Sequence, residues 1–460
     1  MQLKNKFTKN VKILLILALV AHLLLLLLTK FTAWPEMLTW PYQLLEGWRP
    51  YQDIAIVHTP LLIVILSAFY KIVGVGIFQL QIFTWIVALA STFLAWIITK
   101  KLWGPKVAII AAFIYPLYHI FYEGNGLWFD LLLAPLFLFI YYLIRNKSYI
   151  AAGIIFAASL FTKQTAIWIV IPVFIDLFLS GSRKIWELEK RYIPFLYGAV
   201  LIILFGTIVM YLSGILPYFT HWAIEFGILT LPMLPGQIAL PDVTEFMKSI
   251  FPLTPLLILV LLSRDKKTTT MLLWSIFASF GVYPRWELFH FQPAIPFMVV
   301  GTALLVDRAT RIAKITARQI VIFVTLFLVL VLFARSFIRS CGSSVRFYDK
   351  TIEEVVASVQ LFSKNSDGIY VINYWDSVYA LSDRKPVTKP LVPYIPWYLE
   401  YQDLGEYIAL QVRSTLPAVI VRGDYEDGLS SYRIEFLEDT IDRYYVPYYS
   451  KSGVTVYLRN

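Results

Sequence analysis

What most constrains this chain is a succession of apolar runs too long and too frequent for a water-soluble core. The first covers residues 13–28, directly behind an N-terminal segment with four lysines and no acid. Others follow near 78–99, 105–121, 127–144, 149–162, 165–180, 193–213, 250–263, 269–284, 294–308 and 319–336. A helix rises about 1.5 Å per residue and needs about 20 residues to cross roughly 30 Å of hydrocarbon. It also satisfies every backbone polar group internally, as a bilayer demands. Eleven such runs predict an α-helical polytopic membrane protein. No small-residue cleavage site follows the first run, so it is expected to stay as an anchor. With 58% hydrophobic and 15% charged residues, a soluble enzyme and a disordered chain are excluded. A lone cysteine, Cys341, closes no intramolecular bridge.

The stretch 149–180 decides the sidedness, because only Thr162-Lys163-Gln164-Thr165 interrupts it. Lys and Arg gather in the cytoplasmic segments of membrane proteins. With a chain reversal at Lys163, the inner segments hold 20 basic residues and the outer ones, apart from the tail, hold 8. Without the reversal the bias disappears. The expected topology is therefore N-terminus inside, with large outer segments at 30–77 and 214–249 and the tail outside. Within 30–77, the apolar stretch 60–74 is only about 22 Å long as a helix. It reads as an interfacial helix on the outer face. Trp34, Trp40, Tyr42, Trp48 and Tyr51 crowd the same loop, as at headgroup depth.

Residues 1–338 are thus expected to form the transmembrane domain and 339–460 a small extracytoplasmic α/β domain. The tail alternates helix-like (TIEEVVASVQLFSK, DLGEYIALQV, YRIEFLEDTI) and strand-like (GIYVINY, AVIVRG, GVTVYLR) segments around a Pro-rich loop. The net charge of +10 divides into +14 before the tail and −4 within it. Most of the excess is topogenic, and nucleic acid is not an expected partner.

The informative residues are ionisable groups at the outer face, which are costly at a membrane unless they serve a polar site. The first loop offers Glu36, Glu46, Arg49, Asp53 and His58, where a carboxylate is a natural general base for a hydroxyl. The plainer reading is a solvated loop. Glu123 lies in a short outer turn and Asp130 one turn into the next helix, where a helix dipole alone favours an acid. Lys163 is expected at a recessed hairpin tip, suited to an anion such as phosphate. Arg285, Glu287 and His290 share a late outer loop, where the first two can simply pair. The five histidines show no metal-ligand spacing, and no phosphate-cradling Gly-rich loop is present. A transporter or flippase with an outward-facing charged cavity is the rival reading. Against it, these charges gather on one face and no inverted repeat is visible.

Taken in order, these motifs resemble the GT-C superfamily of integral-membrane glycosyltransferases. The most similar branch is the dolichyl-phosphate-mannose–protein mannosyltransferase-like (family 39) group, with its RgtA/B/C/D-like bacterial members. The first-loop pattern stands here as Glu36, then Gly47-Trp48-Arg49-Pro50-Tyr51-Gln52-Asp53, then His58-Thr59-Pro60-Leu61. The acid between the third and fourth spans is matched by Asp130 or Glu123, and GIIFAASLFTKQT ends in Lys163. A late segment is matched by Arg285, His290, Phe291 and Pro296, and VYALSDRKP resembles a pattern of the family's α/β tail. One departure is that Pro35-Glu36 stands where the family often has Asp-Glu.

The resemblance implies sugar transfer on the outer face of the cell membrane, from a polyprenyl-phosphate donor to a protein, glycan or lipid hydroxyl, with inversion. It implies Asp53 or Glu36 as the catalytic base. Lys163, Arg285 and His58 are implied at the donor phosphate, with Asp130, Glu123, His290 and Tyr51 supporting them. Cations alone can balance a monophosphate leaving group, so no metal cofactor is required.

Overall fold

In the computed structural model, which describes residues 2–179, 185–310, 317–426 and 430–460, the apolar runs become helices. They are α1 (Gln2–Leu28), α2 (Glu36–Leu45), α3 (Leu61–Val73), α4 (Ile77–Trp103), α5 (Pro105–Phe121), α6 (Phe129–Arg145), α7 (Tyr149–Thr162) and α8 (Val170–Leu179). There follow α9 (Ile185–Leu212), α10 (Leu216–Phe219), α11 (Val243–Ile250), α12 (Thr254–Ser263), α13 (Lys266–Ala278), α14 (Ile295–Ala309) and α15 (Ala317–Ser340). Each of the eleven expected runs falls on helical residues. Among the described residues, six helical segments are long and apolar enough to cross a bilayer; α5, α7 and Gln164–Leu179 are apolar but shorter. Four of the basic residues counted inside, Arg183, Lys184, Arg311 and Lys314, lie outside the described residues.

By contacts the chain forms two compact units. The first comprises Met1–Thr32, Thr84–Val209 and Gly236–Ser343. Its core is built on α5, α6 and α14, with Tyr118, Phe137, Tyr141, Trp274 and Phe297 buried together. Polar contacts tie like ends of the helices to each other. Lys106 at the start of α5 meets Asp307 at the end of α14 at 2.9 Å. At the opposite end, Tyr122 donates to the carbonyl of Ser249 at 2.7 Å. Asn125 donates to the carbonyls of Leu26 and Thr29, just where α1 stops.

The same logic settles the stretch 149–180. After α7 the backbone of Lys163 is extended (φ −156°, ψ 133°), and a 3-10 turn, Gln164–Ile169, leads into α8. Lys163 meets Asp130 at the start of α6, whereas Asp176 on α8 meets Arg145 at the end of α6. α8 therefore runs in the same direction as α6 and opposite to α7, so the chain reverses at Lys163 as expected. α7 crosses α9 closely at two glycines. A Cβ on Gly153 would lie 2.0 Å from the carbonyl oxygen of Phe195, and one on Gly198 2.2 Å from that of Ile150. Small residues that let backbones approach in this way are typical of helix contacts in membranes.

The second unit comprises Ala33–Phe83, Met210–Pro235 and Ser344–Asn460. Its sheet has the order β2-β1-β3-β5-β4, from β1 (Gly368–Ile372), β2 (Lys385–Pro386), β3 (Val419–Gly423), β4 (Tyr445–Lys451) and β5 (Val454–Arg459). β1 runs parallel to β2 and β3, whereas β5 runs antiparallel to β3 and β4. Central β1 and β3 are almost wholly buried, as continuous Val/Ile runs in parallel pairing require. The helices α16 (Lys350–Phe362), α17 (Ser377–Ser382), α18 (Pro396–Leu399), α19 (Leu404–Thr415) and α20 (Glu435–Tyr444) complete the domain. All six expected tail segments are in place. β4 was not expected; it is an edge strand carrying Pro447, which obscures its pattern.

The division expected at 338/339 describes the sequence order, but contacts add the first loop to the tail. Backbone bonds run from Ala55 to Leu391 (2.9 Å) and from Leu391 to Asp53 (2.8 Å). Lys385 pairs with Glu46 at 2.9 Å, and Tyr42 donates to Asp383 at 3.0 Å. α3, the stretch expected at the interface, buries Leu62, Leu66 and Tyr70 and leaves Val64, Ile65 and Ile72 exposed.

Candidate active site

In the first unit, three of the expected site residues meet in one buried cluster. Asp130 sits on the first turn of α6, Lys163 at the extended break after α7, and His290 on the 3-10 turn Leu288–Ala294. Asp130 Oδ2 lies 2.6 Å from Lys163 Nζ and 2.9 Å from His290 Nδ1; the two nitrogens are 3.1 Å apart. A neutral ring whose Nδ1 carries the proton donates to Oδ2, so Asp130 accepts from both neighbours. The other tautomer would set two lone pairs against each other at 2.9 Å. Asp130 is fully buried and Lys163 is 3% exposed, so the ammonium is already charge-matched. The remaining oxygen, Asp130 Oδ1, is buried without a hydrogen-bond partner. It faces Gly281 and Thr165, where a Cβ on the glycine would sit 3.5 Å from it.

Arg285 instead pairs with Glu287 at 3.6 Å, both partly exposed. Glu123 takes left-handed backbone (φ 55°), and its carbonyl receives the Gln292 side-chain amide at 3.3 Å.

The second unit holds the first-loop acids. Asp53 is buried and both of its oxygens are engaged. Oδ2 accepts from the backbone N–H of Arg49 at 2.8 Å, closing the turn, and Oδ1 faces Lys389 at 3.3 Å. Lys389 in turn lies over the Trp48 ring. This carboxylate organises the loop. Tyr51 is fully buried, donates to the carbonyl of His58 at 2.8 Å and packs edge-on against Phe219. His58 is half-buried at the same turn.

Glu36 differs. As the first residue of α2, its half-buried carboxylate lies within electrostatic reach of Asp376, at the start of α17, and of Arg346, which stacks over Trp34 at 4.3 Å. Glu36 Oε2 and Asp376 Oδ1 are withdrawn from solvent without a hydrogen-bond partner. Burial raises Glu36 to about 7, against the pull of its own backbone N–H and the Arg346 guanidinium. Burial, and then the negative charge of Glu36, pushes Asp376 well above the usual carboxylate range. Two carboxyl groups so placed titrate as a pair, with a proton available near neutrality.

Neither Asp376 nor Arg346 was among the expected site residues. The available signal was an acid alone in the uncharged run INYWDSVYALS. What hid it is the 340 residues of chain that separate it from Glu36.

Comparisons with known proteins agree with this architecture. Residues 57–211, a third of the chain, match the family model for dolichyl-phosphate-mannose-protein mannosyltransferase. No curated protein matches the sequence. The fold is similar to that of ArnT from Cupriavidus metallidurans in the apo state, at 11% identity and a TM-score of 0.65 over 98% of both chains. The undecaprenyl phosphate-bound form of that protein gives 0.61 over the same coverage. The archaeal oligosaccharyltransferase AglB from Archaeoglobus fulgidus, solved with an inhibitory peptide and a dolichol-phosphate, gives 0.54 at 12% identity, over 98% of this chain and 74% of that one. Arabinofuranosyltransferase AftD from Mycobacteria also gives 0.54 at 12% identity, over 97% and 40%. All three are GT-C fold proteins, and this chain has that fold.

Proposed function

We propose that this polytopic membrane protein, with its GT-C fold, is a glycosyltransferase using a polyprenyl-phosphate-linked sugar as donor. The acceptor is a hydroxyl of a protein, glycan or lipid on the outer face of the cell membrane. The family match over residues 57–211 supports this reading, as do relatives of the same fold solved with polyprenyl phosphates. One observation carries the mechanism: Glu36 is a carboxylate held near neutrality in the loop that resembles the family's catalytic segment.

In the proposed step, Glu36 takes the proton of the acceptor hydroxyl as that oxygen attacks the anomeric carbon. The new C–O bond forms on the face opposite the breaking sugar–phosphate bond, inverting the centre. The electron pair leaves on the lipid monophosphate. General base catalysis is worth about 10²–10⁴-fold in rate and is best served by a base with a pKa near the working pH. Asp376 and Arg346 act as positioning residues that set this value. Asp53, with both oxygens engaged, holds the loop. His58, Lys163 and Arg285 are assigned to the phosphate charge on their chemistry alone, with Asp130 holding the Lys163 side chain in place.

The test is transfer in membranes containing the full chain, supplied with labelled polyprenyl-phosphate sugars. Glu36→Gln is expected to lower transfer by about 10²–10⁴-fold at normal protein levels. Asp53→Asn is expected to lower folding stability more than turnover. Wild-type transfer by a folded Glu36→Gln protein would remove Glu36 from the mechanism.

A further inference from the structure

The opposite end of the first unit, where the basic residues gather, carries a cavity that the transfer reaction does not use. It measures about 220 Å³ and lies between the end of α4, the end of α6 and the start of α13. Three cations line it, Arg145, Lys147 and Lys267, and no carboxylate does. The rest of the wall is apolar: Trp103 stacks on Tyr141 at 6.4 Å, with Ile144 beside them.

Arg145 is fixed and incompletely satisfied. Its Nη2 donates to Asp176 at 2.7 Å and to the Thr270 hydroxyl at 2.5 Å. Its Nε is buried with no partner in the protein. The guanidinium also lies over the Tyr141 ring at 5.0 Å, which fixes its charge at the cavity wall. Asp176 is fully buried and pairs with Arg145, and among the described residues neither Lys147 nor Lys267 has an ion-pair partner, so the cavity carries net positive charge.

We infer that this cavity binds the phosphate of an anionic phospholipid headgroup. Two ammonium groups beside a fixed guanidinium charge suit a phosphate. The aromatic and aliphatic side suits the glycerol and upper acyl carbons, and basic pockets between membrane helices favour this class of lipid. Pockets that enclose a drug-sized ligand run about 300–1,000 Å³, so this one fits a headgroup whose chains stay outside. A dissolved phosphate ion gains nothing from the apolar side.

The experiment is thermal unfolding of the full chain in a neutral detergent with phosphatidylglycerol, phosphatidylcholine or inorganic phosphate at equal concentration. A ligand that binds only the folded state raises Tm. Phosphatidylglycerol is expected to raise it, and the other two to leave it unchanged. The double variant Lys147→Gln/Lys267→Gln is expected to keep its lipid-free Tm and lose the phosphatidylglycerol increment. An equal increment from phosphatidylcholine, an equal increment from inorganic phosphate, or a variant that keeps its increment would each overturn the proposal. If the double variant unfolds without lipid, native mass spectrometry of Lys267→Gln decides: retained phosphatidylglycerol adducts at wild-type occupancy overturn it, and lost adducts uphold it.

Discussion

At the scale of residues, the two acids of the first loop show how environment separates similar groups. Asp53 accepts a backbone N–H and faces a lysine, whereas Glu36 shares withdrawn space with a second acid. As the proposed base, Glu36 must be ionised to act, so transfer is expected to rise with pH through about 7. The stability sign is opposite. A carboxyl raised above its ordinary value stabilises the fold below that value and loses the contribution as pH rises through about 7. Activity and Tm of the same preparation, followed from pH 5.5 to about 8.5, should therefore move in opposite directions. Arg346→Gln removes the cation that holds Glu36 down, so the rising limb should move to higher pH with little loss at its plateau. A profile that stays put would detach Arg346 from the base. In the other cluster, Lys163→Met leaves Asp130 charged and buried, which typically costs about 3–5 kcal/mol. Denaturant or thermal unfolding should show a loss of that size, partly recovered by adding Asp130→Asn.

At the scale of elements, the helices were legible because a bilayer writes its thickness into the chain as apolar length. The reversal at Lys163 was legible from the distribution of Lys and Arg, although no local residue there is a helix breaker. The ion pairs Lys163–Asp130 and Arg145–Asp176, at opposite ends of α6, supply the direct geometric reason. The tail strands were legible where Val and Ile run unbroken, as in β1 and β3, and illegible in β4, where Pro447 and exposed tyrosines break the pattern. In the candidate site, Asp130, Lys163 and His290 were singled out one at a time, but spacing could not say that they touch. The crossing of α7 and α9 was missed, since Gly153 and Gly198 carry no chemistry. Gly153→Val would drive side-chain carbons into the Phe195 carbonyl. Overpacking of this kind costs about 1–3 kcal/mol. A matching fall in unfolding free energy is expected, and an unchanged Tm would mean that the helices separate easily.

At the scale of the whole molecule, the second unit is assembled from three separate stretches, with the first loop and the tail supplying most of the candidate base's surroundings. A chain ending at residue 343 should leave the loop 33–83 cleavable by added protease under conditions where the full chain resists. Equal resistance would show that the loop holds its shape alone. The carboxylate pair also has a history in time. Glu36 leaves the ribosome 340 residues before Asp376. At about 5–20 residues per second, the loop waits roughly 20–70 seconds for the segment that completes it. Throughout that interval Glu36 is without Asp376 and Arg346, Trp34 and Trp48 are without the cations that cover them, and the Asp53 carboxylate keeps only its contacts with Arg49. The pair that sets the proton affinity of Glu36 is therefore completed only after most of the chain has been made.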